Sequence, residues 1–177
     1  MKIVRTVADV ALVVSRSKIS GQKVAFVPTM GSIHEGHLSL IAIAKQHAEV
    51  VVASIFVNPL QFGSSEDFEL YPRNEDADAK ALSKAGVDLL FIPTVDEIYP
   101  DAKFELTQSA GPIGKVYEGA ARPDHFDGML TVVSRLFDIV QPDTAVFGAK
   151  DAQQLHLIRQ MVKAQNPLGI RDPIEII

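Results

Sequence analysis

Two histidines stand three residues apart in "PTMGSIHEGHLSL", the stretch from Pro28 to Leu40, with Gly31 and Gly36 beside them. Imidazole is the side chain whose protonation changes near neutral pH. In an α-helix, residues three apart lie about 60° from each other around the axis. His34 and His37, in or just before a first helical turn, therefore point to one place. That place is a helix mouth, where backbone N–H groups lack partners and the dipole favours an anion. The glycines allow a sharp turn and close approach of backbone to ligand. The pattern reads as an anion site with two imidazole donors, and phosphate is the natural anion. One histidine at a helix start is more simply a cap; the pair, beside two glycines and after an apolar run, favours chemistry.

Two competing motifs fail. A zinc protease needs H-E-x-x-H, whereas this spacing is H-E-G-H with Leu38 following. A Walker loop needs G-x-x-x-x-G-K-[ST]; Gly31 and Gly36 have the right separation, but His37 and Leu38 replace the lysine and the hydroxyl residue. Two histidines do not complete a zinc site, and the spacing offers no third ligand, so no protein-borne metal is expected.

The elements that must hold these residues alternate along the chain. "KVAFVPT" reads as a buried strand ending at Pro28, and "EGHLSLIAIAKQHA" follows with helical spacing. "VVVASIFV", Val50 to Val57, is the next strand, stopped by Asn58 and Pro59. "NEDADAKALSKAG" is a polar helix, acidic at its start and closed by Gly86. "VDLLFIP" is a third strand. The segment from Thr94 to Asp124 has little periodicity and reads as loops. "FDGMLTVVSRLFDIV" is a helix with Met129, Val132, Val133, Leu136, Phe137 and Val140 on one face. "TAVFGA" is a fourth strand, "DAQQLHLIRQMVKAQ" a helix with Asp151 as N-cap, and "PIEII" a fifth strand. Such alternation implies a doubly wound, Rossmann-like parallel sheet covered on both faces. Ligands of these folds sit at the carboxyl ends of strands. Thr29 to His37, Asn58 to Gln61 and Gly148 to Gln154 all follow strands.

Composition narrows the class. The chain has 177 residues, 47% hydrophobic and 22% charged, with a net charge of −5 and no cysteine. This is a globular composition of one-domain size. The charge argues against a non-specific nucleic-acid partner. Absence of cysteine removes disulfides, thiolate metal sites and cysteine nucleophiles. The apolar start "MKIVRTVADVALVV" is too short and interrupted to span a membrane, and no small-residue cleavage site follows it. The expectation is a cytoplasmic protein with no membrane partner.

"HEGH" after a strand resembles the HxGH signature of the nucleotidyltransferase superfamily. The longer set "PTMGSIHEGHLSL", "SIFVNPLQF", "YPR", "RPDHFDGMLTVV" and "FGAKDAQQLHLIRQM" resembles the pantothenate synthetase (pantoate–β-alanine ligase) family, in order and over most of the chain. The resemblance implies an ATP-dependent ligase with Mg²⁺ on the phosphates. Pantoate carboxylate attacks the α-phosphorus of ATP, pyrophosphate leaves, and the amine of β-alanine displaces AMP from pantoyl adenylate. It implies that Met30, Gly31, His34, His37, Gly148, Lys150 and Asp151 bind ATP, with His37, His34 and Lys150 catalytic. It assigns Gln61, Gln154, Thr29 and Met30 to pantoate, and Gln61 also to β-alanine. A carboxylate nucleophile needs no deprotonation near neutrality, so electrostatic stabilisation is the main role expected of His37. The resemblance also implies a homodimer.

Plainer uses exist for each residue. Asn58 and Pro59 end a strand, Gln61 is an amide, Lys150 a solvated cation. Arg122 and His125 grip phosphate or order a loop with equal weight, and Tyr71 and Arg73 read as loop anchors. Leu60 stands where the family often has Met, and Ala149 where Glu is common. The chain stops at Ile177, before the family's serine- and arginine-containing loop, equivalent to KMSKS, and its C-terminal lid. Residues 1–177 are thus expected to form the nucleotide- and pantoate-binding domain, without the lid and with reduced activity. The rival readings are another HxGH nucleotidyltransferase acting on a phosphorylated alcohol, a non-catalytic nucleotide-binding module, and an aminoacyl-tRNA synthetase fragment, the last disfavoured by the acidic balance.

Overall fold

The structure is a computed structural model that describes residues 1–63, 68–165 and 174–177. Six parallel strands form one sheet: β1 (Lys2–Val4), β2 (Val24–Thr29), β3 (Val50–Ile55), β4 (Leu89–Phe91), β5 (Thr144–Ala145) and β6 (Glu175–Ile176), in the order β1-β4-β3-β2-β5-β6. The five strands expected from apolar runs are present. The sixth, β1, was hidden because three residues at an edge carry no pattern of their own; pairing with β4 makes the strand.

Alternation along the strands feeds two cores. Val24 and Phe26 of β2, with Val50 and Val52 of β3, face one side. Ala25 and Val27, with Val51 and Ala53, face the other. The first side is covered by α1 (Val7–Ile19), α6 (His125–Val140) and α7 (Ala152–Gln165); the second by α2 (Glu35–His47) and α3 (Glu75–Ala85). This is the doubly wound arrangement that continuous apolar strands require. The residues foreseen as the apolar face of α6 are all buried.

α1 carries a helical pattern, with Val7, Val10, Ala11 and Val14 at i, i+3, i+4 and i+7 after Thr6, that its strand-favouring valines obscure. Two oxygens cap it: Thr6 Oγ1 accepts from Asp9 N at 3.2 Å, and Glu97 Oε2 accepts from Val7 N at 2.8 Å. The stretch 94–124, expected to be loops, contains short helical turns, including α4 (Val95–Ile98) and α5 (Glu118–Ala121). Thr94 Oγ1, accepting from Glu97 N at 3.4 Å, starts the first of them. Asp151 does not cap α7. It lies within a 3₁₀ turn, Ala149–Asp151, that enters the helix, so the helical run begins three residues earlier.

β2 is where the strand order reverses, with β3 and β4 added on one side and β5 on the other. A crevice opens at such a switch point, at the strands' carboxyl ends. Pro28 helps to open it. Val24 and Phe26 carbonyls accept from Asp143 and Val146, so the next residue facing β5 is Pro28, which has no N–H to extend the ladder.

Candidate phosphate and carboxylate site

The turn from β2 into α2 is held by its own atoms and one distant carboxylate. Thr29 Oγ1 donates to Ser54 O at 2.7 Å and accepts from Gly31 N at 3.2 Å. Gly31 and Ser32 then take positive φ, 88° and 53°. A side chain at Gly31 would place its Cβ 3.0 Å from Asp78 Oδ2 and 3.2 Å from Ile55 Cγ2. Asp78, buried on α3, accepts from Ser32 N at 2.9 Å and Ile33 N at 2.8 Å, one oxygen each. These two bonds offset the cost of the left-handed Ser32.

The chain then reaches His34, the N-cap of α2. Its Nδ1 accepts from Gly36 N at 3.0 Å, and His37 Nδ1 accepts from His34 N at 3.4 Å. Two imidazoles thus form a reciprocal capping box, a task usually left to serine and glutamate. An accepting Nδ1 carries no proton, so each neutral ring bears its proton on Nε2. Neither Nε2 has a hydrogen-bond partner among the described residues. The rings lie 4.2 Å apart, tilted by 33°. Burial, then the neighbouring His34, lowers the His37 pKa below its ordinary 6.5, while Asp78 and Asp151 pull it partly back. With both Nδ1 atoms accepting, the site presents two Nε2–H donors at a helix mouth. Cap and anion donor are one geometry.

Gln61 comes to this turn from the end of β3. It lies in the 3₁₀ turn Pro59–Gln61, and its Nε2 meets Met30 Sδ at 3.0 Å. Asn58 is more than a strand stop: it is 1% exposed and bonds Gln61, Leu60, Gly128 and Tyr99. Arg122 and His125 both contact neighbouring groups of their own segment or of the Gln61 turn. Arg122 Nη1 donates to Glu118 Oε1 at 2.9 Å and lies 3.1 Å from His125 Nε2. A guanidinium only donates, so His125 carries its proton on Nδ1, 2.8 Å from Gln61 O. Arg73 donates to the Phe68 and Glu69 carbonyls, and Tyr71 meets the edge of Phe62, as loop anchors would.

From β5, the segment Gly148–Asp151 approaches the histidines closely enough for the Asp151 charge to act on His37. Lys150 is 90% exposed, and its Nζ contacts Asp151 Oδ1 at 3.3 Å. Of the two adjacent glutamines, Gln153 is fixed, bonding Ile113 O, Val116 O and Glu118 N. Gln154 is half-buried, and its amide has no partner among the described residues. Nothing in the structure joins Gln154 directly to Gln61. A cavity of about 310 Å³ borders Met30 and Gly31 at the carboxyl ends of β2, β3 and β4, with Arg73 and Asp78 in its wall.

Sequence reasoning missed Asp78 and Tyr99. Asp78 is one of three acidic residues on one helix, and its distance of 46 positions from Ser32 left no local sign. Among the described residues, no three His, Cys, Asp or Glu side chains converge as a metal cage, and no helix is long and apolar enough to cross a membrane.

Comparison with known proteins places the chain in one family. The family model for pantoate-beta-alanine ligase matches residues 2–174. The pantothenate synthetase of Acidothermus cellulolyticus is 53% identical over 175 residues, 99% of this chain and 55% of the relative. That of Pseudomonas entomophila is 51% identical over 178 residues, 100% of this chain and 60% of the relative. The chain therefore spans 55–60% of the length of these curated relatives. The crystal structure of pantothenate synthetase from Thermus thermophilus superposes with a TM-score of 0.90 at 47% identity, covering 100% of this chain and 60% of that one. A Francisella tularensis pantoate-beta-alanine ligase, complexed with beta-gamma ATP and beta-alanine, gives 0.91 at 41% identity, covering 100% and 66%.

Proposed function

We propose that this chain, which belongs to the pantoate-beta-alanine ligase family, condenses (R)-pantoate with β-alanine, using ATP and passing through pantoyl adenylate. The products are pantothenate, AMP and pyrophosphate. The observation that carries this reading is the pair of Nε2–H donors, without a partner among the described residues, at the mouth of α2, beside the crevice between β2 and β5.

In the first step a pantoate carboxylate oxygen bonds to the α-phosphorus and the bond to pyrophosphate breaks. Charge grows on the phosphoryl and leaving oxygens. His34 and His37 supply N–H donors aimed at that charge, a fixed donor of this kind being typically worth about 3–4 kcal/mol, and Lys150 reaches it as a mobile point charge. His37 acts as a neutral donor and not as a base, since the attacking carboxylate is already ionised. Met30, Gly31, Gly148 and Asp151 complete the nucleotide's surroundings. Gln61 and Gln154 hold pantoate beside Met30, and the engaged hydroxyl of Thr29 shapes that turn from behind. In the second step the amine of β-alanine, also near Gln61, attacks the acyl carbon, the bond to AMP breaks and the amine loses a proton.

Mg²⁺ would be carried by the triphosphate oxygens and water, the way this ion commonly binds. Bound there, it would neutralise charge on the phosphates. Residues 1–177 are read as one nucleotide- and pantoate-binding domain, working in the cytoplasm as a homodimer; sedimentation velocity at micromolar concentration checks the pairing.

The deciding experiment is pantoate-dependent exchange of labelled pyrophosphate into ATP, followed by pantothenate formation on adding β-alanine. Exchange that requires pantoate is expected. ATP binding with no exchange, with or without a separate C-terminal fragment of a full-length relative, would leave a non-catalytic nucleotide-binding module.

A further inference from the structure

Behind Gln61 runs a buried chain of side chains whose polarity is set by the backbone. Asn58 lies between two main-chain groups. Its Nδ2 is 3.1 Å from the Gly128 carbonyl, and its Oδ1 is 3.3 Å from the Leu60 N–H. A carbonyl needs a donor and an N–H needs an acceptor, so this amide has only one workable orientation. The second proton of Nδ2 goes to Gln61 Oε1 at 3.1 Å. Oδ1 also meets the Tyr99 hydroxyl at 2.7 Å, and since an amide oxygen only accepts, the phenol donates.

The consequence falls on Gln61. Its oxygen is turned inward to Asn58, and its Nε2 faces Met30 Sδ at 3.0 Å. Thioether sulfur is a weak acceptor. Of the two amide protons, one meets that sulfur and the other is left to meet a ligand. The arrangement depends on a close approach of α6 to the turn at Pro59–Gln61: a Cβ at Gly128 would stand 2.1 Å from Leu60 O.

We propose that Tyr99 is a positioning residue for the acid substrate, holding the Asn58 amide so that Gln61 offers an N–H, and not its oxygen, to a carboxylate or hydroxyl oxygen. The inference rests on the reading of Gln61 as a pantoate contact. Tyr99 is fully buried and 41 positions from Asn58 in sequence. Burial pushes its phenol pKa well up, and the Arg135 guanidinium, 5.2 Å from the ring centroid, reverses only part of that. The donated proton is therefore present at every working pH. Without it, Oδ1 keeps only the longer bond to Leu60, and the amide that holds Gln61 is less firmly fixed in the orientation the backbone sets.

Tyr99→Phe removes one oxygen while the ring keeps its contacts with Phe56 and Phe104. In pantoate-dependent ATP–pyrophosphate exchange, the KM for pantoate should rise about tenfold. The KM for ATP should stay within about twofold, a split that general loosening would not produce. An unchanged KM for pantoate in a folded variant overturns the proposal. If the variant does not fold, the parent chain decides, labelled with ¹⁵N-glutamine. The Gln61 side-chain NH₂ resonances should move as pantoate saturates; resonances that stay in place while pantoate binds overturn it. A parent chain that binds no pantoate by titration calorimetry overturns the functional reading, and this inference with it.

Discussion

The two helix entries that flank the crevice are built in opposite ways. The turn from β2 into α2 is fixed at nearly every residue: by Thr29 at Gly31, by Asp78 at Ser32 and Ile33, and by the reciprocal histidines at His34 and His37. The turn from β5 into α7 has no side-chain cap at Gly148, open space around that glycine, and an exposed lysine whose Nζ pairs with its neighbour Asp151. Donors that must meet growing charge without reorganising belong on the first kind of turn. A long, hydrated cation that reaches a phosphate as a point charge works from the second. The difference separates a preorganised surface from an adjustable one.

Breaking the rigid side should have the largest effect on stability. Asp78→Asn replaces one of two accepting oxygens with an amide donor facing a backbone N–H. A loss of about 2–3 kcal/mol is expected, from an unsatisfied buried donor and a lost charge-assisted bond. Urea unfolding at constant m-value measures it. A loss under about 0.5 kcal/mol would mean that the turn holds itself.

Acid should weaken the same turn more gently. Protonated His37 cannot accept from His34 N, and a cation at a helix N-terminus is unfavourable. Its pKa lies below 6.5 in the folded protein, so the unfolded chain binds the proton more readily. The contribution of His37 is whole above about 6.5 and is lost as pH falls through its lowered value. Imidazole Cε1–H shifts followed by NMR should give a His37 midpoint below 6.5. A midpoint above 6.5 would contradict the burial and capping geometry.

The flexible side should show the smallest structural response. Lys150→Ala is expected to change stability by less than about 0.5 kcal/mol, as at other exposed positions. The same variant should lose most pantoate-dependent exchange, about 100-fold or more. Unchanged exchange would remove Lys150 from the catalytic set and leave the work to the histidines.

Legibility in the sequence followed the range of the forces involved. β2, β3, α2 and α6 were readable because their apolar residues repeat at short spacing and both faces of the sheet need them. The histidine pair was readable for a similar reason: a helix geometry that spans three residues brings both rings together. β1 was not, since an edge pairing acts across the fold, and the pattern of α1 was obscured by its valines. Asn58 looked like a strand stop and proved to be a hub. Of two adjacent glutamines, the sequence carried no sign that Gln153 would be tied to the 113–118 segment and Gln154 would not.

The sequence by itself determined the parallel layers and the two imidazoles at a helix mouth, because periodicity and turn chemistry act between near neighbours. Only the tertiary structure decided which atoms of those side chains face a ligand. Asp78 sets the turn from 45 and 46 positions away, and the Gly128 carbonyl sets the Asn58 amide from 70. A hydrogen bond is directional, so its donor and acceptor ends are settled when distant backbone groups arrive in place.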